Sequence, residues 1–190
     1  MKNRIRRKLH SIKAFTLAEM LLAVLILLMV SAIVASGIPV AKNAYERVVL
    51  ASNADVLLST TISTLRNELG TARDITKQEA VPGEPMAANT IITYYNTARG
   101  AYSRIYVASG EKPVIMFQRY YSKDGLGKSS DPVPLISEKT ATGDLYVTYT
   151  SVTPDKNLGL VTFDGLAVNR TSGTLNLASR DYLRIRVISE

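Results

Sequence analysis

The chain is organised around residues 13–38, which read KAFTLAEMLLAVLILLMVSAIVASGI. Between Met20 and Ala35 the only polar side chain is that of Ser31. As an α-helix, residues 15–38 would extend about 36 Å at roughly 1.5 Å per residue, enough to cross a hydrocarbon core of about 30 Å. A helix that is apolar on every side and follows a basic leader is typical of a membrane span and not of a buried core helix.

The net charge of +7 is concentrated in that leader. Residues 1–14 hold six of the 23 Lys and Arg side chains and none of the 16 Asp and Glu side chains, which leaves 17 basic and 16 acidic residues elsewhere. The excess therefore does not form a binding face of the kind that phosphate recognition needs, and no direct nucleic-acid site is predicted. A positive leader is expected to stay in the cytoplasm, so the precursor should cross the membrane once.

The composition also excludes several classes of enzyme. The chain contains no cysteine, and its one histidine, His10, lies in the leader. Disulfides, thiolate metal sites, thiol nucleophiles, Ser-His-Asp triads and His-ligated zinc are excluded on that basis. Two-carboxylate hydrolysis is compatible with the composition, but no pair of acids stands out. We predict that the protein is not an enzyme and needs no cofactor.

Glu19 is the one acidic side chain inside the apolar run. An acid in a spanning segment is costly unless a cation pairs with it. Lys13 is near Glu19 only while the leader is attached. Cleavage after Ala14 would create a positive α-amino group on Phe15, in the same chain or in a neighbouring one. Pairing with a neighbour would make Glu19 an assembly contact.

The segment K-A-F-T-L-A-E-M-L-L-A-V-L-I-L-L resembles the N terminus of type IV prepilins and pseudopilins, in which G-F-T-L-x-E precedes an apolar helix. Residues 15–17 and Glu19 match that pattern, whereas Ala14 replaces the common glycine and Ala18 the common isoleucine or valine. Alanine still provides a small residue at the cleavage position. The resemblance implies cleavage between Ala14 and Phe15 by a prepilin peptidase, N-methylation of Phe15, and neutralisation of a neighbour's N terminus by Glu19.

The resemblance implies a structural subunit, expected to be a minor one, of a type IV pilus or of a type II secretion or competence pseudopilus. Its partners would be prepilin peptidase, other pilin or pseudopilin subunits, membrane lipid before assembly, and assembly platform proteins. The subunit would pass from the cytoplasmic membrane into an extracytoplasmic filament, and the missing cysteine pair favours a Gram-positive source. The alternative is a membrane-anchored extracellular binding protein with an uncleaved signal anchor, which leaves Glu19 unexplained.

Beyond the apolar run the helix is predicted to continue over residues 39–70. Pro39 predicts a kink, because proline lacks the backbone donor and clashes with the preceding turn. From residue 40 the pattern becomes amphipathic, with Asn67 and Glu68 expected to face away from the domain and Gly70 expected to end the helix. The predicted apolar face consists of Leu58, Ile62, Leu65 and Leu69.

The remainder, residues 71–190, is predicted to be an extracytoplasmic β-rich domain. Residues 71–86 are expected to be a connector, because Pro82, Gly83 and Pro85 interrupt any regular element. Runs rich in Ile, Val, Tyr and Thr then predict strands at 90–97, 103–108, 113–121, 144–152, 159–168 and 182–188. Residues 104–107 and 182–188 alternate as half-buried strands do. The predicted fold class is α+β, with a long N-terminal helix packed on one antiparallel sheet, as in pilins.

Two features of this domain have competing interpretations. Asp124 and Asp131 bound a Gly- and Ser-rich loop and are weak calcium candidates, but a solvated turn is favoured because these are turn residues and the ligand density of a calcium loop is absent. The tyrosine pairs at 94–95 and 120–121 suggest a stacking platform, yet adjacent residues on a strand point to opposite faces. Each pair is therefore predicted to supply one core ring and one surface ring.

Overall fold

The computed structural model describes residues 16–79, 84–120, 130–137, 144–171 and 177–188. The predicted α+β class is confirmed: one long helix, α1 (Leu17–Leu69), precedes antiparallel sheets. The strands are β1 (Ala72–Gln78), β2 (Ile91–Asn96), β3 (Ala101–Val107), β4 (Ile115–Tyr120), β5 (Val133–Pro134), β6 (Leu145–Thr148), β7 (Ser151–Asp155), β8 (Leu160–Arg170) and β9 (Ala178–Arg186). The chain forms two compact units, Met1–Val48 and Val49–Glu190.

The first part of α1 has the length and composition of a membrane-spanning helix. Its most apolar 18-residue window has a mean hydropathy of 2.8, and none of that window is buried inside the protein. The helix is compatible with a single-pass membrane anchor. Its last residue is Leu69, and the Gly70 amide donates to the Arg66 carbonyl at 2.8 Å. The helix end predicted at Gly70 is thus confirmed.

The buried face of α1 in the second unit differs from the predicted one. Leu65 and Leu69 are fully buried as expected, whereas Leu58 and Ile62 lie at the margin of the core. The prediction that Glu68 faces away is wrong, because only 8% of it is exposed. Seven residues make almost two helical turns, so Glu68 shares a face with buried Thr61. The buried helix residues are Ala54, Leu57, Thr61, Leu65, Glu68 and Leu69.

The first sheet is an antiparallel meander in the order β1-β2-β3-β4-β5. The predicted connector 71–86 is wrong over its first half, because residues 72–78 form β1 and pair with β2. The sequence ARDITKQ carries no strand periodicity, and a register shift between Arg73 and Thr76 places Asp74 at a positive φ of 55°. Pairing at the sheet edge, and not local preference, makes this segment a strand.

A second sheet contains β6, β7, β8 and β9, so the prediction of a single sheet is wrong. β8 pairs with β9 along one edge and with β6 and β7 along the other. The predicted strand 144–152 is interrupted at residues 149–150, opposite Gly165, whose φ is +62°. Before this left-handed residue the odd-numbered residues Val161 and Phe163 are buried, and after it the even-numbered residues Leu166 and Val168 are. Gly165 thus shifts the alternation of buried side chains along β8 by one residue.

One hydrophobic core joins both sheets to the second part of α1. The alternation predicted for residues 182–188 is confirmed by buried Leu183 and Ile185 between exposed neighbours. The alternation predicted for residues 104–107 is wrong, since all four are buried. Their outer face is covered because Met86 forms a bridge with Ala108 and contacts a second small apolar cluster.

Candidate functional site

The start of α1 is capped by reciprocal hydrogen bonds between Thr16 and Glu19. The Thr16 amide and hydroxyl donate to Glu19 Oε2 at 2.9 and 3.1 Å, and the Glu19 amide donates to Thr16 Oγ1 at 3.3 Å. This is a capping box, in which a threonine and a glutamate three residues later satisfy each other's backbone donors. Among the described residues no cation forms an ion pair with Glu19. The Glu19 carboxylate therefore caps its own helix, in addition to the assembly role that is predicted for it.

The helix surface that follows Glu19 is apolar and exposed. Glu19 is the only charged side chain between Lys13 and Lys42. The hydroxyls of Ser31 and Ser36 each donate to a carbonyl of the preceding turn at 2.8 Å. Hydroxyls bonded in this way suit a helix surrounded by lipid or by other helices, because no other partner is needed there.

Pro39 lies inside α1, which is helical on both sides of it. Its nitrogen has no hydrogen to donate to the carbonyl four residues earlier. The kink at this residue stays a prediction. Two other predicted site residues, Ala14 and Phe15, lie outside the described residues.

The weak calcium candidates are not brought together by the described structure. Asp124 lies outside the described residues, and Asp131 is exposed between β4 and β5. Within the described ranges no three His, Asp or Glu side chains cluster as metal ligands. The Asp155 carboxylate accepts from the amides of Asn157 and Leu158 at 3.0 and 3.1 Å, as in a solvated turn.

A buried polar cluster around Glu68 was missed by the sequence analysis. Glu68 Oε1 accepts hydrogen bonds from Tyr94 Oη at 3.1 Å, Asn96 Nδ2 at 2.9 Å and Arg99 Nη1 at 3.0 Å. Arg99 Nη1 also lies 2.8 Å from Glu68 Oε2. The side-chain oxygen Oδ1 of Asn96 in turn accepts from Thr71 Oγ1 and from the Arg99 backbone amide. The cluster joins the end of α1 to β2 and to the turn that follows it.

The electrostatics of this cluster keep Tyr94 protonated. Burial raises the pKa of the Tyr94 hydroxyl well above 10, and the adjacent Glu68 carboxylate raises it further. A protonated Tyr94 remains a donor to Glu68 across the neutral range. Nothing in this arrangement provides a nucleophile or a free base, so the cluster connects elements of the fold.

Tyr94 and Tyr95 lie on opposite faces of the sheet, as predicted. Tyr94 is fully buried, and Tyr95 is half-buried on the opposite face of the sheet. There the Tyr95 ring meets Tyr102 edge to face at 5.0 Å, and the Arg73 guanidinium lies 5.2 Å from its centre. Tyr120 is buried, while its neighbour lies outside the described residues.

The comparisons with known proteins add no relative. No protein-family model matches the chain, and neither the curated proteins nor the solved structures contain a significant match. A functional proposal therefore rests on the sequence pattern and on the described geometry. These provide an apolar helix with one acid in its first turn, and a β-rich unit with a shared core.

Proposed function

We propose that the protein is a structural subunit of a type IV pilus or of a secretion or competence pseudopilus, and that it is a minor subunit. The observation that carries the proposal is the exposed apolar surface of the first part of α1, where Glu19 is the only charged side chain before Lys42. Such a surface is costly in water, so it requires lipid or other apolar helices around it. A filament core of packed helices would provide the second environment after the membrane has provided the first.

In this proposal prepilin peptidase cuts between Ala14 and Phe15, and Phe15 becomes the methylated N terminus. The precursor is a single-pass protein of the cytoplasmic membrane with its basic leader inside. Assembly platform proteins would then transfer it into an extracytoplasmic filament with other pilin-like subunits. No catalytic role is included, and a Gram-positive source is favoured by the missing cysteines.

Glu19 has two roles in the proposed filament. Its carboxylate caps its own helix through Thr16, and one carboxylate has enough acceptor sites to accept from an amine as well. A neighbour's Phe15 amine, brought beside Glu19, would neutralise the charge and fix the axial position of one subunit against the next. In an apolar environment that pairing would be favoured strongly over an unpaired acid.

The mature N terminus tests the proposal. Intact-mass and peptide mass spectrometry of protein from membranes and from sheared filaments should find an N-methylated Phe15. An N terminus that still carries Met1 in the assembled protein would overturn the proposal in favour of the uncleaved signal anchor. That alternative explains the apolar helix equally well, but it assigns no role to the acid in its first turn.

The abundance of the protein separates a minor subunit from a major one. An immunoblot of sheared filaments, calibrated with purified protein, should show a small fraction of the total subunit mass. A dominant band would refute the minor assignment and leave the structural role intact.

A further inference from the structure

A cleft in the second unit is lined by arginines that come from two elements. Arg66 lies in the last turn of α1, and Arg180 and Arg184 lie on β9. Together with Asp181, Tyr182 and Leu183 they line an open cleft of about 360 Å³. Two segments distant in the sequence thus contribute three arginines to the lining of one cleft.

Within the part of the chain that the structure describes, none of these three arginines forms an ion pair with a carboxylate, and the Arg184 guanidinium lies 5.2 Å from the centre of the Tyr182 ring. The ion pairs within the described residues are Lys42–Glu46, Arg99–Glu68, Arg104–Glu84 and Arg170–Asp144. None of them includes a side chain of the cleft, although Asp181 is part of its lining. Three guanidinium groups and one carboxylate leave a formal surplus of two positive charges. Outside the leader the chain is close to neutral, so the surplus is local and does not follow from a basic domain.

Protection of a sheet edge explains only part of this arrangement. Among the described strands β9 pairs only with β8, and charged side chains on an edge strand disfavour pairing with another chain. That role accounts for Arg180, Arg184 and Arg186 on the strand. Edge protection does not explain the position of Arg66, which belongs to a helix and lines the same cleft as Arg180 and Arg184. Positive charges that line one cleft repel each other, and an anion bound among them would relieve that repulsion.

The chemistry of the cleft selects the class of anion. Guanidinium groups bind phosphate and carboxylate oxygens through paired hydrogen bonds. A carboxylate carries one negative charge, whereas a phosphate monoester carries about −1.5 to −2 at neutral pH. Only the second matches the surplus of two. We propose that this cleft binds a dianionic phosphate group, either inorganic phosphate or the terminal phosphate of a monoester.

The test uses the full chain in non-ionic detergent micelles, with 3-fluorotyrosine at Tyr182 as a reporter inside the cleft. A local reporter is needed because the basic leader also attracts anions. Methyl phosphate and inorganic phosphate should each give a saturable fluorine shift with a dissociation constant of about 1 mM or tighter. Dimethyl phosphate and acetate, which carry one charge, should bind at least about tenfold more weakly. Binding of inorganic phosphate without methyl phosphate would identify free phosphate as the ligand, and binding of both would allow a monoester.

Matched variants locate the site. Arg66→Gln and Arg184→Gln should each weaken methyl phosphate binding about tenfold, because each removes one charged donor. Arg186→Gln removes the same charge from the same strand outside the cleft and should leave the affinity within about twofold. All three should retain the wild-type thermal midpoint. An equal loss in all three, equal binding of dimethyl phosphate, or no saturable shift up to about 10 mM would overturn the proposal. None of these results depends on filament assembly.

Discussion

Removal of the Glu68 carboxylate should strongly destabilise the second unit. In Glu68→Ala the buried Tyr94 hydroxyl and the Asn96 amide lose an acceptor that lies 3.1 and 2.9 Å away. The Asn96 amide keeps the backbone carbonyl of residue 68 as an acceptor at 3.4 Å, so the larger loss is that of the Tyr94 hydroxyl, and a buried donor without its acceptor costs about 1–3 kcal/mol. Arg99 loses its ion pair, but 43% of its side chain is exposed, so water compensates and that loss is at most about 1 kcal/mol. The expected decrease in the free energy of unfolding is about 3 kcal/mol.

Two further variants separate the contributions within this cluster. Glu68→Gln keeps one acceptor oxygen for Tyr94 but loses the charge and the second acceptor, which pairs with the half-exposed Arg99, so the free energy of unfolding should fall by only about 1 kcal/mol. Asp55→Ala removes an exposed acid from the same helix and should change the stability by less than about 0.5 kcal/mol. Urea unfolding of the full chain in non-ionic detergent, followed by the near-ultraviolet circular dichroism of the tyrosines, measures all three. A Glu68→Ala variant no less stable than Asp55→Ala would refute the reasoning.

Three other outcomes concern the buried tyrosines and a strained glycine. Burial raises the pKa of Tyr149, and burial together with the Glu68 charge raises the pKa of Tyr94. As the pH rises, these tyrosines lose their protons in the unfolded state before they do so in the folded state. The free energy of unfolding should therefore fall as the pH rises above about 10. Urea titrations at several alkaline pH values should show a shallower fall for Tyr149→Phe, and an unchanged slope would contradict the assignment. In Gly165→Ala the new methyl carbon would lie 2.4 Å from Thr150 Oγ1 at a φ of +62°, so the thermal midpoint should drop by an amount that corresponds to more than about 1 kcal/mol. Part of that loss should return in the Thr150→Ala background, and no return would show that the strain is in the backbone alone. In urea unfolding, Tyr94→Ala should lower the free energy of unfolding by about 3–5 kcal/mol and Tyr95→Ala by clearly less, because Tyr94 is fully buried and Tyr95 is half-buried. Equal losses would refute the assignment of Tyr94 to the core and Tyr95 to the surface.

The sequence predicted the features that depend on long, uniform patterns. The apolar run gave the helix, and the change to short runs of β-branched and aromatic residues gave most of the strands. Gly70 marked the helix end because a glycine followed the last apolar residue of the pattern. These signals are local, so they are readable without the tertiary structure.

Features that depend on distant partners were not predicted. The spacing of the apolar residues predicts that Glu68 faces away from the domain, yet Tyr94, Asn96 and Arg99 provide buried donors to it from another part of the chain. Periodicity counted over polar as well as apolar residues would have placed it beside Thr61 on the buried face. β1 is recognisable only through its pairing with β2, and the irregularity of β8 at Gly165 depends on its pairing with two separate strands, β6 and β7.

The roles predicted for Ala14, Phe15 and Glu19 in processing and assembly stay predictions. The T-x-x-E spacing at Thr16 and Glu19 is a sequence signature of a capping box, and it predicts the hydrogen bonds that close the start of α1. Cleavage, methylation and assembly involve other proteins and other copies of the chain. They remain proposals that rest on the motif and on the exposed apolar helix.

Incorporation of Glu19 variants into filaments tests the central claim most directly. Glu19→Gln keeps an acceptor for the capping box but removes the charge, whereas Glu19→Ala removes both. Each variant would be expressed in a strain lacking the wild-type gene, and quantitative immunoblots would compare its amount in membranes and in sheared filaments. We predict wild-type membrane levels for both variants and loss of filament incorporation for both, because a neighbour's amine needs the charge. Wild-type incorporation of Glu19→Gln would contradict the account and would reduce Glu19 to a helix cap.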